Sequence, residues 1–204
     1  MPFGFYIIMA AQFFSSLADN ALLVAAIAAL ALLDSPAWLT PMLKLFFVIS
    51  YVVLAPFVGA FADALPKGHV MFISNAIKVA GCLMMLFSAH PLLAYGVVGL
   101  GAAAYSPAKY GILTEYLPHQ KLVIANGWIE GLTVASIILG TVLGGALISQ
   151  ALSAKLLRID IPQLDTGIDT APETAITVII VFYVIAAVFN LYIPRTAIDH
   201  KPQR

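Results

Sequence analysis

Six long apolar stretches dominate the chain, and short breaks that carry turn residues separate them. Each stretch reaches the length of about 20 residues that a helix needs to cross the hydrocarbon of a bilayer. The breaks, such as Asp34-Ser35-Pro36 and Leu65-Pro66-Lys67-Gly68, combine residues that favour turns. The last two stretches are separated by a longer polar loop, Ser153–Glu173. The pattern predicts an all-α protein, a single bundle of six transmembrane helices over Phe5–Leu33, Pro41–Ala62, His69–Ala89, Pro91–Leu113, Leu122–Gln150 and Thr174–Ile193.

Composition supports a membrane protein and argues against several other classes. Of the 204 residues, 62% are hydrophobic and 10% are charged, whereas a soluble domain carries about 25% charged residues. The formal net charge is zero, so nucleic acid is not an expected partner. The sequence has no recognisable pairing of a nucleophile with a base and no set of metal ligands at metal spacing. We therefore expect no enzyme activity, no cofactor and no metal site.

The distribution of lysine and arginine between the loops predicts the orientation in the membrane. Cytoplasmic loops carry an excess of these residues. With the N-terminus inside, the internal segments hold five of them and the external loops hold Lys155 and Arg158. This bias predicts that both termini are cytoplasmic. The five internal residues are Lys67, Lys121, Arg195, Lys201 and Arg204.

Charged and polar side chains inside the predicted spans are the candidate functional residues, because they are costly in hydrocarbon unless they are paired or hydrated. Asp19 and Asn20 lie near the middle of the first span. They are interpreted either as cavity residues that bind a cationic group or a coupling ion, or as a hydrogen-bonded strut between helices. Lys78, Lys109 and Glu130 are predicted to form a polar layer in which the charges pair with one another.

The fourth predicted span contains a proline where a spanning helix should still be in hydrocarbon. Pro107 removes one backbone donor and is expected to bend the helix just before Lys109. Tyr105 and Tyr110 flank this step, and their apolar rings with polar tips suit the head region of an amphiphile. In the fifth span, Gly140-Thr-Val-Leu-Gly144 is the small-xxx-small pattern that lets two helices approach closely.

The break after the second span reads Gly59-Ala-Phe-Ala-Asp63-Ala-Leu-Pro-Lys67-Gly68-His69. It resembles the loop signature of the major facilitator superfamily, in which a glycine is followed four residues later by an aspartate and then by a basic segment. The resemblance implies a gating role for Gly59 and Asp63, with Lys67 standing for the basic segment; the alternative is a turn with a solvated aspartate. The bend at Pro107 is also assigned to gating.

Four further blocks resemble the bacterial lysophospholipid transporters, a family within that superfamily. The most specific is Ala104-Tyr-Ser-Pro-Ala-Lys-Tyr-Gly111. The resemblance implies a multi-pass protein of the bacterial inner membrane that moves lysophospholipids, chiefly lysophosphatidylethanolamine, towards the cytoplasmic leaflet. It also implies coupling to an acyltransferase–acyl carrier protein synthetase that re-acylates them. The other three blocks cover residues 11–22, 54–63 and 125–130.

Superfamily members have twelve spans in two halves that enclose a central site, and this chain accounts for six. We therefore expect it to be the N-terminal half, completed by a missing C-terminal half or by a second protomer. On this hypothesis Asp19, Asn20, Lys78, Tyr105, Lys109, Tyr110 and Glu130 contact the substrate. Two alternatives remain open from the sequence: a proton-coupled drug or small-solute carrier on the same fold, and a membrane module that does not transport.

Overall fold

A computed structural model describes residues 3–157 and 169–193, which fold into α-helices joined by short turns. The long apolar runs form the long helices, and the predicted turn residues lie between them. The helices are α1 (Phe3–Leu32), α2 (Leu39–Ala64), α3 (Lys67–Leu86), α4 (Pro91–Tyr116), α5 (His119–Ile148), α6 (Gln150–Leu157) and α7 (Ala171–Leu191).

The long helices pack side by side in an order that differs from their order along the chain. Helix α4 packs between α2 and α3, and α1 packs between α5 and α7. Helix α3 also packs against α7, which joins the two groups, and α1 approaches α4 across the middle of the bundle. Helices α2 and α5 therefore lie at the two edges of the bundle and are the least buried of the long helices.

Two apolar cores, one toward each end of the bundle, are separated by a polar band. One core contains the second half of α1 and the start of α7, with Leu22, Tyr95 and Ile179 among its buried side chains. The other contains the start of α1 and the end of α4, with Ile8 and Ile112. Between them lie the buried side chains Ser15, Asn75 and Lys78, together with the partly exposed Asp19.

The helix ends differ in detail from the predicted spans. Helix α6 lies partly in the segment expected to be a loop from Ser153 onwards, and residues 158–168 of that loop lie outside the described residues. Helix α7 begins at Ala171 rather than Thr174 because Thr170 and Glu173 form a capping box. The Glu173 carboxylate accepts from the Thr170 backbone N–H at 2.8 Å, and the Thr170 hydroxyl accepts from the Glu173 backbone N–H.

Five helices, α1, α2, α3, α5 and α7, have the length and hydropathy of membrane spans, so the chain is a multi-pass membrane protein. Helix α4, which corresponds to the fourth of the six predicted spans, is not among them. It has 26 residues and is about 39 Å long at 1.5 Å per residue. Its glycines, tyrosines, two prolines and Lys109 lower its mean hydropathy, so composition alone does not identify it as a span.

The glycine pair of α5 lets that helix contact the backbone of α1, as the small-xxx-small pattern predicts. A Cβ atom at Gly140 would lie 2.5 Å from the Leu17 carbonyl oxygen. One at Gly144 would lie 2.8 Å from the Ala21 carbonyl oxygen. The neighbouring Gly145 has nothing within 4 Å of the same position. The close approach of α1 and α5 therefore depends on Gly140 and Gly144.

Substituting Gly140 with valine is expected to destabilise the bundle by about 1–3 kcal/mol, because the added atoms overlap backbone that cannot move independently. Gly145→Val is the matched control on the same helix, and we expect it to leave stability nearly unchanged. Thermal unfolding of the purified protein in detergent measures both effects. Equal midpoints for the two variants would contradict the close contact.

Candidate functional site

An ion pair at the centre of the polar band joins three helices. The Lys78 ammonium lies 2.8 Å from Asp19 Oδ2, and the Tyr183 hydroxyl donates to Asp19 Oδ1 at 2.7 Å. These residues belong to α3, α1 and α7. The Lys78 side chain is 1% exposed and that of Asp19 is 21% exposed. The pair removes the net charge that either side chain alone would place in the bundle.

Further polar contacts hold the Lys78 side chain in place. Lys78 Nζ also donates to the Ser15 hydroxyl at 2.9 Å, and that hydroxyl donates to Asn75 Oδ1 at 2.8 Å. Gly101 of α4 makes room for the lysine stem, because a Cβ atom there would lie 2.8 Å from Lys78 Cγ. The ammonium lies 5.1 Å from the centre of the Tyr105 ring, within the range of a cation–π contact. Contacts from α1 and α4 therefore hold the Lys78 side chain in place.

Beside this ion pair a cleft of about 150 Å³ opens between α1, α2, α3, α4 and α5. Asp19 and Lys78 form part of its wall, and Lys109 forms another part. The α1 side is polar because Gln12, Ser15 and Asp19 recur at helical spacing and share one face. The cleft could therefore take a small charged group. Its complete lining is Gln12, Ser15, Ser16, Asp19, Tyr51, Lys78, Ala102, Tyr105, Ser106, Lys109 and Thr133.

Next to Lys109, a tyrosine outside the cleft lining contacts two opposite charges, and Glu130, the second of them, is also outside that lining. The Lys109 ammonium lies 4.3 Å from the centre of the Tyr110 ring. The Tyr110 hydroxyl donates to Glu130 Oε1 at 2.7 Å. Among the described residues, the salt bridges within 4.0 Å do not include Lys109 or Glu130. Tyr110 thus contacts both charged groups, the ammonium over its ring and the carboxylate at its hydroxyl, and no salt bridge within 4.0 Å joins the two among the described residues.

Two of the predicted gating residues, Asp63 and Lys67, lie where α2 ends and α3 begins. The Lys67 ammonium forms an ion pair with Asp63 and donates to the Ala62 carbonyl at 2.8 Å. It also lies 4.0 Å from Glu115 Oε1, near the end of α4. Lys67 is buried, so these contacts tie the α2–α3 turn to α4. Gly59 lies in open space on α2, and Pro107 lies inside α4, one turn before Gly111.

The structure brings most of the sequence-predicted site residues together, but not with the predicted partners. Lys78 pairs with Asp19, so the prediction that Lys78, Lys109 and Glu130 pair with one another is wrong for Lys78. Asn20 is not part of the cleft lining: its amide donates to the Ser16 carbonyl at 2.8 Å, and its Cβ side faces Gly140. Asp19, Lys78, Tyr105 and Lys109 do line the cleft.

Sequence reasoning missed several polar residues of the site. Ser15 and Gln12 could have been found from their spacing to Asp19 along one helix face. Thr133, which accepts from Gln12 Nε2 at 3.2 Å, lies one turn beyond Glu130. Tyr51 and Tyr183 gave no local signal, because they reach the site from helices that are distant in the sequence.

Comparisons with known proteins give a consistent picture. A family model described as Major Facilitator Superfamily matches residues 8–204. A protein of Yersinia enterocolitica named lysophospholipid transporter LplT is 44% identical over 194 residues, which cover 95% of this chain and 43% of that protein. Proteins of the same name from Yersinia pestis and Yersinia pseudotuberculosis are 45% identical over 190 residues, covering 93% of this chain and 42% of theirs. The chain spans less than half the length of these curated relatives.

Proposed function

The chain belongs to the major facilitator superfamily, and we propose that it forms the first half of a transporter for lysophospholipids. The identity to the Yersinia relatives, which carry that name, supports the substrate class. The observation that carries this proposal is that Lys109, in the cleft, and Glu130, beside it, both contact Tyr110 without forming a direct ion pair. A lysophospholipid headgroup needs a cation for its phosphate, and its ethanolamine form needs an anion for its ammonium.

Lysophosphatidylethanolamine fits these two residues by charge. Its phosphate would bind Lys109, and its ammonium would bind Glu130. Lys109 and Glu130 each contact Tyr110 and are not joined by a salt bridge within 4.0 Å, so both charges would be available to a zwitterion. The Asp19–Lys78 pair, fixed by Ser15 and Tyr183, forms the neutral wall behind them. Tyr105 completes that wall beneath the Lys78 ammonium.

The membrane arrangement belongs to the same proposal. Helix α4 lies between α2 and α3 and is long enough to cross the bilayer. It would therefore be a span as well, which brings the number of spans to six, and it would carry Lys109 inside the bundle. The lysine and arginine bias between loops supports an inner-membrane orientation with both termini in the cytoplasm. A second half, or a second protomer, would cover the exposed sides of α2 and α5 and close the cleft.

Movement of the headgroup would follow from rocking of the two halves. The contacts of Lys67 with Asp63 and Glu115 would hold one end of α2, α3 and α4 together in one of the two arrangements, with Gly59 and Pro107 on the moving helices. The lipid would be delivered to the cytoplasmic leaflet, where an acyltransferase–acyl carrier protein synthetase would restore its second acyl chain.

The test uses a chimaera in which this chain replaces the matching segment of the Yersinia enterocolitica relative, so that the remainder supplies the second half. In spheroplasts of a host lacking its own transporter, we expect labelled lysophosphatidylethanolamine added outside to be converted to diacyl lipid. Uptake equal to that of an empty vector would contradict the proposal.

A protonophore separates this proposal from the rival, a proton-coupled carrier of small solutes. That carrier would need a carboxylate that exchanges a proton, and Asp19 is instead held by Lys78 and Tyr183. We expect uptake of the lysolipid to persist when the proton gradient is collapsed. Uptake that stops with the gradient and ignores competing lysolipid would favour the rival.

A further inference from the structure

Gln12 is a buried amide in the wall of the polar cleft, and its side chain is held from one end. Its Nε2 donates to the Thr133 hydroxyl at 3.2 Å. That hydroxyl has one proton, which it donates to the Ile129 carbonyl at 2.8 Å, so towards Gln12 it acts as an acceptor. This fixes the orientation of the amide, because Gln12 must turn Nε2 and not Oε1 towards Thr133.

The Gln12 carbonyl oxygen is therefore an unused acceptor at the surface of the cleft. In the part of the chain that the structure describes, the hydrogen bond of the Gln12 side chain is the one to Thr133. Among the same residues, the fully enclosed side-chain N and O atoms without a partner belong to Asn75, Tyr105 and Asn190. Gln12 Oε1 is not one of these atoms, so it is open to the cleft. Since Gln12 is only 5% exposed, this oxygen needs a donor from a molecule in the cleft.

The headgroup assigned to this cleft carries two kinds of donor, its ammonium and the free hydroxyl of its glycerol unit. A carboxylate binds an ammonium more strongly than a neutral amide does, which favours Glu130 for the ammonium. The hydroxyl is separated from the phosphate ester oxygen by only two carbon atoms, so a phosphate bound to Lys109 keeps it within the same small cleft. In a diacyl phospholipid an ester, which has no proton to donate, replaces this hydroxyl.

We propose that Gln12 Oε1 accepts a hydrogen bond from the free glycerol hydroxyl of the lysophospholipid. This inference rests on the proposed function and adds to it a residue that distinguishes lysophospholipids from diacyl phospholipids. A site built to bond a substrate hydroxyl rejects an analogue that lacks it, because the acceptor in the site is then left unpaired. Lys109 and Glu130 contact the charges of the headgroup, and Gln12 contacts the hydroxyl.

The test is equilibrium binding, to the purified chimaera, of palmitoyl lysophosphatidylethanolamine and of its deoxy analogue, in which hydrogen replaces the glycerol hydroxyl. Binding is measured because the analogue has no hydroxyl that an acyltransferase could acylate. We expect the unmodified protein to bind the lysolipid about three- to tenfold more tightly than the analogue, the range for one neutral hydrogen bond. Gln12→Met protein, with a side chain of similar length, should bind both lipids as the unmodified protein binds the analogue. Gln150→Met, at an exposed glutamine of α6 outside the cleft, is the matched control and should keep the preference.

Equal binding of the two lipids by the unmodified protein would overturn the inference. Gln12→Met protein that keeps the preference, or that loses affinity for both lipids by the same factor, would also overturn it; an equal loss is what a structural amide or an ammonium ligand would give. A further measurement needs no variant: the methyl ether of the hydroxyl keeps the oxygen without its proton, and the unmodified protein should bind it no better than the deoxy analogue. Failure of the proposed function is distinguishable, because the unmodified chimaera would then bind neither lipid.

Discussion

Replacing Lys109 with methionine is expected to lower uptake of lysophosphatidylethanolamine by the chimaera about ten- to hundredfold. The reason is that a hydrogen bond to a charged group contributes about 1.5–3 kcal/mol, and each 1.4 kcal/mol is about tenfold. Lys109 is the cation of the cleft that lacks a salt bridge within 4.0 Å among the described residues, so its charge is available to a phosphate. Methionine keeps the apolar stem that packs inside the bundle. Initial uptake rates at equal amounts of folded protein measure the effect.

Two further variants test whether the loss of uptake is due to the positive charge and whether it is specific to position 109. Lys109→Arg keeps the charge and should retain most of the uptake. Lys44→Met removes a lysine from an exposed position on α2 that does not line the cleft, and it should leave uptake unchanged. Wild-type uptake by well-folded Lys109→Met protein would remove Lys109 from the binding site.

Replacing Asp19 with asparagine is expected to destabilise the chimaera by about 3–5 kcal/mol, because it leaves the Lys78 ammonium buried without its carboxylate. Asparagine keeps an oxygen for the Tyr183 hydroxyl, so the change is one of charge. Adding Lys78→Met should restore most of the stability, since a neutral, well-packed pair often replaces a buried ion pair at little cost. Thermal unfolding in detergent, followed by size-exclusion chromatography, measures all three proteins.

The double variant is the decisive one, because coupled residues show non-additive effects. Asp34→Asn, an exposed aspartate in the turn after α1, is the control and should not change the unfolding midpoint. If Lys78→Met lowered the stability of Asp19→Asn protein as much as it lowers that of the wild type, the two effects would be additive. The ion pair would then not be what joins α1 to α3.

The helices were predictable from the sequence because apolar runs of spanning length leave little choice of structure. The Gly140–Gly144 contact was predictable for a similar local reason, since both residues share one helix face. The start of α7 was also within reach: Thr170 and Glu173 stand at capping-box spacing before an apolar run. Helix α6 is short and weakly apolar, and nothing in its sequence distinguished it from a loop.

The partners of the buried charges were not predictable, because they depend on which helices are neighbours. The cost of Asp19 and Lys78 in hydrocarbon indicated that each needs a partner. Depth along a helix suggested that Lys78, Lys109 and Glu130 lie in one layer. Only the packing of α1 and α3 against the same helix, α7, brings Asp19 to Lys78 and to Tyr183, over sequence separations of 59 and 164 residues.

The central claim is that Lys109 and Glu130, which both contact Tyr110, bind the two charges of a lipid headgroup. The most direct measurement is equilibrium binding of lysophosphatidylethanolamine and of the uncharged monoacylglycerol with the same tail to the purified chimaera. The account predicts that the wild-type protein binds the lysophospholipid at least about tenfold more tightly, and that Lys109→Met/Glu130→Gln protein binds the two lipids equally. A double variant that keeps the wild-type preference would contradict it.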